Sequence, residues 1–482
     1  MRKTHSFLGE YLVKQFKNNI YPLLLLALPL AMTGLIQSAT FFFETIFLAH
    51  LGPVALAAGA IVSWLAGTFA VILFGTLSSI NILVAHKFGA KDKHGISLVV
   101  RDGVWLAILL SIPAVFFFWN ISPIFLIFGQ SPHTVFLAQS YLHALTWGLF
   151  PNFLVIALLE FIIGLGRARV ILIFSILTMS MTIVFSFALI FGKFGLPALG
   201  VAGAGWGITI GNWITFILLS LYVLMNKEYR SYLSHLFTLT KKSYLLELIK
   251  VGAPMGLMYC VEVAFFFALT LVMGSFGDEL LAANQIALQY LGVLMSIVFC
   301  IAQAITVRMG HLLGASEVSS AKQAAYAGIC MSASLMFFVA LCFWTFPSIL
   351  ISIDFNIYKP ENLETVHLAT QFLGISAIFQ IIEATRISLF GSLRGLKDTH
   401  FTLLSSIIGF WGIALPFGYI LATRFHLNGV GLWWGMVIGA CVSVILLLDF
   451  GLIRGRRGKT AVSKKNNYMK KFDQLDEFIR LK

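Results

Sequence analysis

Along nearly the whole chain, long apolar runs alternate with short breaks that carry charge, Gly or Pro. A run of about 20 apolar residues is enough to cross a bilayer. Cutting at the breaks predicts twelve membrane helices, over residues 20–49, 54–85, 98–120, 134–164, 170–192, 199–225, 247–275, 280–310, 323–351, 365–393, 400–423 and 429–453. The short alternating segments of a membrane β-barrel are not what the pattern shows. The first run follows a basic segment, as a signal peptide would. It continues past Ala31 to Glu44, however, and eleven more runs follow, so it is read as a retained helix.

A second period lies above the helical one. Residues 29–90 and 254–315 align without gaps at an offset of 225 and share 17 identities in 62 positions, among them Pro29 with Pro254, Gly52 with Gly277 and His86 with His311. At an offset of 228, "GAGWGITIG" (203–211) answers "GLWWGMVIG" (431–439). The expected fold is therefore an all-α polytopic membrane protein, with twelve transmembrane helices in two pseudo-symmetric six-helix bundles. Its parts are an N-terminal lobe over 1–225, a polar linker over 226–246, a second lobe over 247–453 and a basic tail over 454–482. An even number of spans per unit returns the chain to its starting side. The two lobes then share one orientation, as in the parallel repeats of many secondary transporters, where the substrate site lies between the halves.

Composition supports this picture: 59% of residues are hydrophobic and 11% charged, with a mean hydropathy of +0.91. The net charge of +13 would by itself suggest a nucleic-acid partner. With the N-terminus in the cytoplasm, however, only Lys193, Lys359 and Arg424 fall outside and the other 30 of 33 basic residues fall inside. The positive-inside rule thus accounts for the charge without nucleic acid and places both termini in the cytoplasm. The tail "NNYMKKFDQLDEFIRLK" carries Phe472, Leu475, Phe478 and Ile479 on one helical face, suited to lying on an anionic leaflet, or is a disordered tail. The five cysteines all fall within spans, lack CxxC spacing and read as packing residues. There is no Walker A sequence and no soluble catalytic constellation, so neither an enzyme nor a cofactor is expected. Gly203, Gly207 and Gly211, four residues apart, read as helix-packing positions.

Four carboxylates lie inside the spans: Glu44, Glu160, Glu262 and Glu383. A charge at the bilayer centre costs about 2.5–3.5 kcal/mol on insertion scales, which makes each a functional candidate. Glu262 falls near mid-membrane and Glu383 somewhat inward of it. Glu160 lies four residues before a cytoplasmic loop, where Arg167 or Arg169 is placed to pair with it. Under the repeat, Glu262 maps to Gln37 and Glu383 to Asn152, while Glu44 lies two turns beyond Gln37, roughly 10 Å further out. A carboxylate held away from water can alternate between a proton, an inorganic cation and an organic cation. Arg386, three residues after Glu383 on the same face, leaves Glu383 either a free coupling group or half of an ion pair. Phe265 and Phe266 lie within one turn of Glu262, and aromatic faces beside a carboxylate suit lipophilic cations.

Several segments together resemble the multidrug and toxic compound extrusion (MATE) transporters, NorM-type branch. They are "KVGAPMGLMYCVEVAFFFALTLVMGSFGDELLAANQIAL" (250–288), "ITVRMGHLLGA" (305–315), "GSLRGLKDT" (391–399), "FGKFGLPALGVAGAG" (191–205) and "LFGTLSSINILVAHKFGAKDK" (73–93). The resemblance covers about residues 20–450. It implies a V-shaped pair of lobes around a central cavity, and efflux of cationic amphiphiles in exchange for Na+ or H+; the expected setting is a monomer in a bacterial inner membrane, since both termini are plain and no organellar signal appears. By the same resemblance Glu262, Glu383 and Glu44 match the family's acidic residues of helices seven, ten and one, with Glu262 and Glu383 as Na+ ligands. The substrate-cavity candidates are Phe265, Phe266, Phe379, Arg386, Gln37, Asn152 and Gln285.

Three departures stand out. Phe379 occupies a place where the family tends to have tyrosine, Arg386 a place usually uncharged, and Thr182 and Ser186 places where asparagine is common. The alternative function is a flippase or exporter of lipid-linked or anionic precursors, which would need basic residues in its cavity.

Overall fold

The computed structural model describes the backbone over residues 2–234, 243–354 and 359–461, and side chains between Ile20 and Asp449 apart from Asp354 and Glu361 within those ranges. The amphipathic tail segment expected near Phe472 lies outside the described residues. Among the described residues, twelve helices are long and apolar enough to cross a membrane: α1 Ile20–Ala49, α2 Pro53–Gly89, α3 Lys93–Asn120, α4 Pro132–Gly164, α5 Ala168–Phe191, α6 Val201–Met225, α7 Leu245–Gly274, α8 Asp278–Gly314, α9 Val318–Thr345, α10 Leu363–Gly395, α11 His400–Thr423 and α12 Asn428–Asp449.

Local chemistry sets the helix ends. Gly52 and Gly277, partners under the repeat, precede α2 and α8 with φ of +106° and +132°, a region where an L side chain is strained. Asp92 caps α3 by accepting from the Gly95 amide at 2.8 Å. The ninth span ends earlier than hydropathy suggests. Pro347 cannot continue the hydrogen-bond ladder of α9, so the apolar run breaks at Phe346 and a separate short helix forms over Pro347–Asp354. Its counterpart one repeat earlier is the short helix Ser122–Ile127, which follows α3.

The chain divides into two compact units, one over Leu25–Gly256 and the other over the described residues of Met1–Leu24 and Leu257–Lys482. The division falls inside α7. The first turns of this helix belong to the earlier unit because Gly252 and Gly256 sit against Thr76 of α2, at distances that leave no room for a methyl group. Just before α7, Asp102 of α3 accepts from the Ser243 hydroxyl at 3.0 Å and from the Tyr244 amide.

Within each unit the same helix plays the central part. In the first, α4 packs on α2, α3 and α6, and α5 packs on α6; in the second, α10 packs on α8, α9 and α12, and α11 packs on α12. The repeat seen in sequence is therefore also a repeat of packing. Between α5 and α6 the three glycines act as expected. A Cβ at Gly203, Gly207 or Gly211 would lie 2.6 Å from Leu189, 2.1 Å from Ser186 or 2.6 Å from Thr182. Thr182 and Ser186 are small partners for a glycine face, which gives those two departures from the family pattern a packing role. The five cysteines are all free; Cys260, Cys330 and Cys342 lie on exposed faces, and Cys300 and Cys441 are partly buried.

Candidate functional site

The second unit gathers four polar side chains from three helices into one buried cluster. Glu262 comes from α7, Glu383 and Arg386 from α10, and Ser406 from α11. Arg386 faces Glu383 because the two lie three residues apart on one helix. Its Nε donates to Glu383 Oε2 at 2.8 Å and its Nη2 donates to Glu383 Oε1, forming a two-pronged pair. Its Nη1 donates to Glu262 Oε1 at 2.9 Å and to Ser406 Oγ at 3.1 Å, and the Ser406 hydroxyl in turn donates to Glu262 Oε1 at 2.8 Å. Arg386 is 0% exposed.

Two aromatic rings also lie against the guanidinium. The rings of Phe390 and Phe410 each have their centroid 4.6 Å from its central carbon. Phe410 reaches this position from a π-helical stretch of α11, Ile407–Ala414, which begins directly after Ser406. The wider turn re-aims side chains relative to an α-helix, a device often found at functional sites. From the same stretch, Trp411 Nε1 donates to the Val261 carbonyl at 3.0 Å, tying α11 to α7 beside Glu262.

Two carboxylates and one guanidinium give this cluster a formal charge of −1. A buried ion pair of this kind holds together only when its hydrogen bonds are complete, because desolvation opposes it. Here four donor contacts from Arg386 and one from Ser406 meet that need.

Sequence reasoning placed Glu262, Glu383 and Arg386 here, and the structure joins all three. The aromatic expectation takes a different form. Phe265 is fully buried and stacks on Phe410 with centroids 4.7 Å apart, so its neighbour in the cationic chain is the aromatic lid of Arg386. Phe266 is partly buried and packs edge-on to Phe265 at 5.5 Å. Phe379 is fully buried and meets the Trp433 ring edge-to-face at 6.5 Å. Gln285 lies on an exposed face of α8, whereas its neighbour Asn284 is 0% exposed with neither amide atom hydrogen-bonded. Gln380 and the Trp433 indole N–H are likewise buried without hydrogen-bond partners. Ser406, Phe410, Asn284 and Gln380 were missed in the sequence, since a lone Ser or Phe in an apolar run carries no local signal.

The first unit is built differently. Glu44 of α1 is buried, enters no ion pair among the described residues, and its Oε1 has no hydrogen-bond partner. The buried Tyr141 of α4 lies within electrostatic reach of it and hydrogen-bonds Ser63. Gln37 is exposed and Asn152 partly buried. Buried Glu160 accepts from Asn81 of α2, and Arg167, one of its expected partners, donates to both oxygens of Glu228 at 3.4 Å.

The MatE family profile matches residues 29–188 and 254–420, once for each half, and its two matches begin at Pro29 and Pro254, the prolines that open the internal repeat. The chain belongs to the MatE family. Among its relatives, the "Probable multidrug resistance protein NorM" of Synechocystis sp. is 31% identical over 445 residues, covering 91% of this chain and 96% of the relative. The "Multidrug resistance protein NorM" of Burkholderia vietnamiensis is 34% identical, covering 89% and 92%. The MatE fold is also seen in solved structures. A MATE transporter in a bent conformation superposes with a TM-score of 0.83 at 19% identity, covering 92% and 97%. A MOP superfamily transporter from Pyrococcus furiosus, described as having a binding pocket of reverse polarity, superposes with a TM-score of 0.81 at 20% identity, covering 91% and 96%.

Proposed function

We propose that this MatE chain is a secondary active exporter of lipophilic organic cations, working by alternating access in exchange for protons. The observation that carries the reading is Glu44, a carboxylate buried within an apolar span with no ion pair among the described residues. A carboxylate so placed is costly to keep ionised, and a proton or an organic cation relieves that cost. The names of the NorM relatives from Synechocystis sp. and Burkholderia vietnamiensis support multidrug compounds as cargo.

In this reading Glu44 takes a proton from outside and gives it up inside, and the Glu262–Arg386–Glu383 cluster ties α7 to α10 in the second half, so that its loss disables the cycle. The driving force comes from the ion gradient, with the membrane potential worth about 2.3 kcal/mol per charge per 100 mV. The transporter works as a monomer in a bacterial inner membrane with both termini in the cytoplasm, in line with the division of basic residues, which is 29 to 3 once Arg386, buried within α10, is set aside.

The test is drug uptake into proteoliposomes with Na+ and pH gradients imposed separately. A pH gradient alone should drive concentrative uptake, and Glu44→Gln or Glu262→Gln should abolish it. Uptake driven only by Na+, or wild-type uptake in either variant, overturns the reading. Export of anionic precursors would need a free basic group, and Arg386 is committed to two carboxylates. Inhibition by polyprenyl phosphates but not by ethidium-like cations would point that way.

A further inference from the structure

The family resemblance places a sodium ion at Glu262 and Glu383, and the residues present do not fit one. A hard cation needs several oxygen ligands with lone pairs turned toward it. Both oxygens of Glu383 accept from Arg386, and Oε1 of Glu262 accepts from Arg386 and Ser406. Phe379, one turn before Glu383, offers a ring where an oxygen would be needed, and that ring is packed against Trp433. The rings of Phe390 and Phe410 also lie against the guanidinium, each with its centroid 4.6 Å from the central carbon.

We propose that Arg386 is a tethered counter-cation: its guanidinium occupies the seat between Glu262 and Glu383 that would otherwise hold Na+, so the second half of this transporter has no sodium site. Three features of the cluster support this. Arg386 bridges two carboxylates from different helices, α7 and α10, as a shared metal ion would. Its burial is complete, at 0% exposure. Its positive charge balances one of the two negative charges, as a monovalent ion would. Because it is covalently held and stays protonated in proteins, this cation does not exchange with solvent. The cluster is then a permanent clasp between α7, α10 and α11, and the exchangeable ion is left to other groups.

The inference rests on reading the chain as an ion-coupled exporter. Its test is sodium binding at equilibrium in purified detergent-solubilised protein, which involves no transport and therefore fails or succeeds separately from the export reading. Radioactive Na+ binding is measured with choline as the competing control. Wild-type protein should show no binding that depends on Glu262. Arg386→Gln should gain a Glu262-dependent site with an apparent Kd at least about tenfold lower than any sodium affinity of the wild type.

The double variant Arg386→Gln/Glu383→Gln keeps the wild-type formal charge of −1 while vacating the seat, and a neutral amide stands where the second charge was. It is the variant to use if Arg386→Gln does not fold, and it too should gain sodium binding. Arg386→Lys, which keeps a tethered charge, should remain indifferent to sodium. Sodium binding by the wild type that is lost in Glu262→Gln overturns the proposal. A folded double variant that gains no binding overturns it as well, because the seat would then be unsuited to sodium whatever occupies it.

Discussion

The two halves share a packing frame and differ in how they treat buried charge. In the second half, Glu262 and Glu383 are bound to Arg386. At the matching positions of the first half stand Gln37, Asn152 and Val155, and the carboxylate there, Glu44, enters no ion pair among the described residues and matches Leu269. A second contrast lies at the α2–α4 and α8–α10 interfaces. Asn81 of α2 donates to Glu160 of α4, and at the equivalent place Thr306 of α8 donates to the Gly391 carbonyl of α10 at 2.8 Å. Equivalent helix pairs are thus joined once through a carboxylate and once through a neutral hydroxyl–carbonyl pair.

The widest difference should appear when one charge is removed from each half. Arg386→Met leaves two buried carboxylates facing each other and should cost about 3–5 kcal/mol, the usual penalty for breaking a buried ion pair. Glu44→Gln removes a charge that has no partner to strand, and should change stability by less than about 1 kcal/mol or raise it. Thermal unfolding of both variants in one detergent measures the gap, and equal losses would break the comparison.

The paired interfaces offer a smaller contrast. Asn81→Ala takes a donor from buried Glu160 and should cost about 1.5–3 kcal/mol, the range for a hydrogen bond to a charged group. Thr306→Val removes a neutral donor and should cost about 1 kcal/mol. Denaturant titration that ranks Thr306→Val above Asn81→Ala would reverse the assignment of charge to the first half.

The smallest effect lies outside the spans. Burial first, then the neighbouring Tyr222, pushes the Tyr229 phenol from 10.0 up to about 12. The sign is that of a group kept neutral by the fold. Its contribution is complete below the ordinary tyrosine value near 10 and is lost as pH rises through about 12. An ultraviolet titration of wild type minus Tyr229→Phe should show one phenolate step near pH 12. A step near the ordinary tyrosine value would show that Tyr229 is not held against Phe161 of α4, where the rings lie 6.2 Å apart.

The sequence by itself determined the twelve spans, the two-fold repeat and the helix-packing glycines, because run length, internal identity and the absence of a side chain are all written locally. It also determined the Glu383–Arg386 pair, since three residues along a helix bring two side chains to one face. Only the tertiary structure decided which faces look inward. In a soluble helix the polar face marks the outside, but in lipid the outer and inner faces are both apolar, so hydropathy loses its direction. Asn284 is buried and Gln285 exposed, one position and about 100° around the helix apart, a difference that composition does not mark. Nor do Ser406 and Phe410 stand out, as the π-helical turn that aims them at Arg386 leaves no mark in composition. Above all, the structure decided that Glu262 reaches Arg386 across 124 residues of chain. The cost of leaving either charge alone in an apolar interior is what draws them together, and the packing of α7 against α10 and α11 is what allows it.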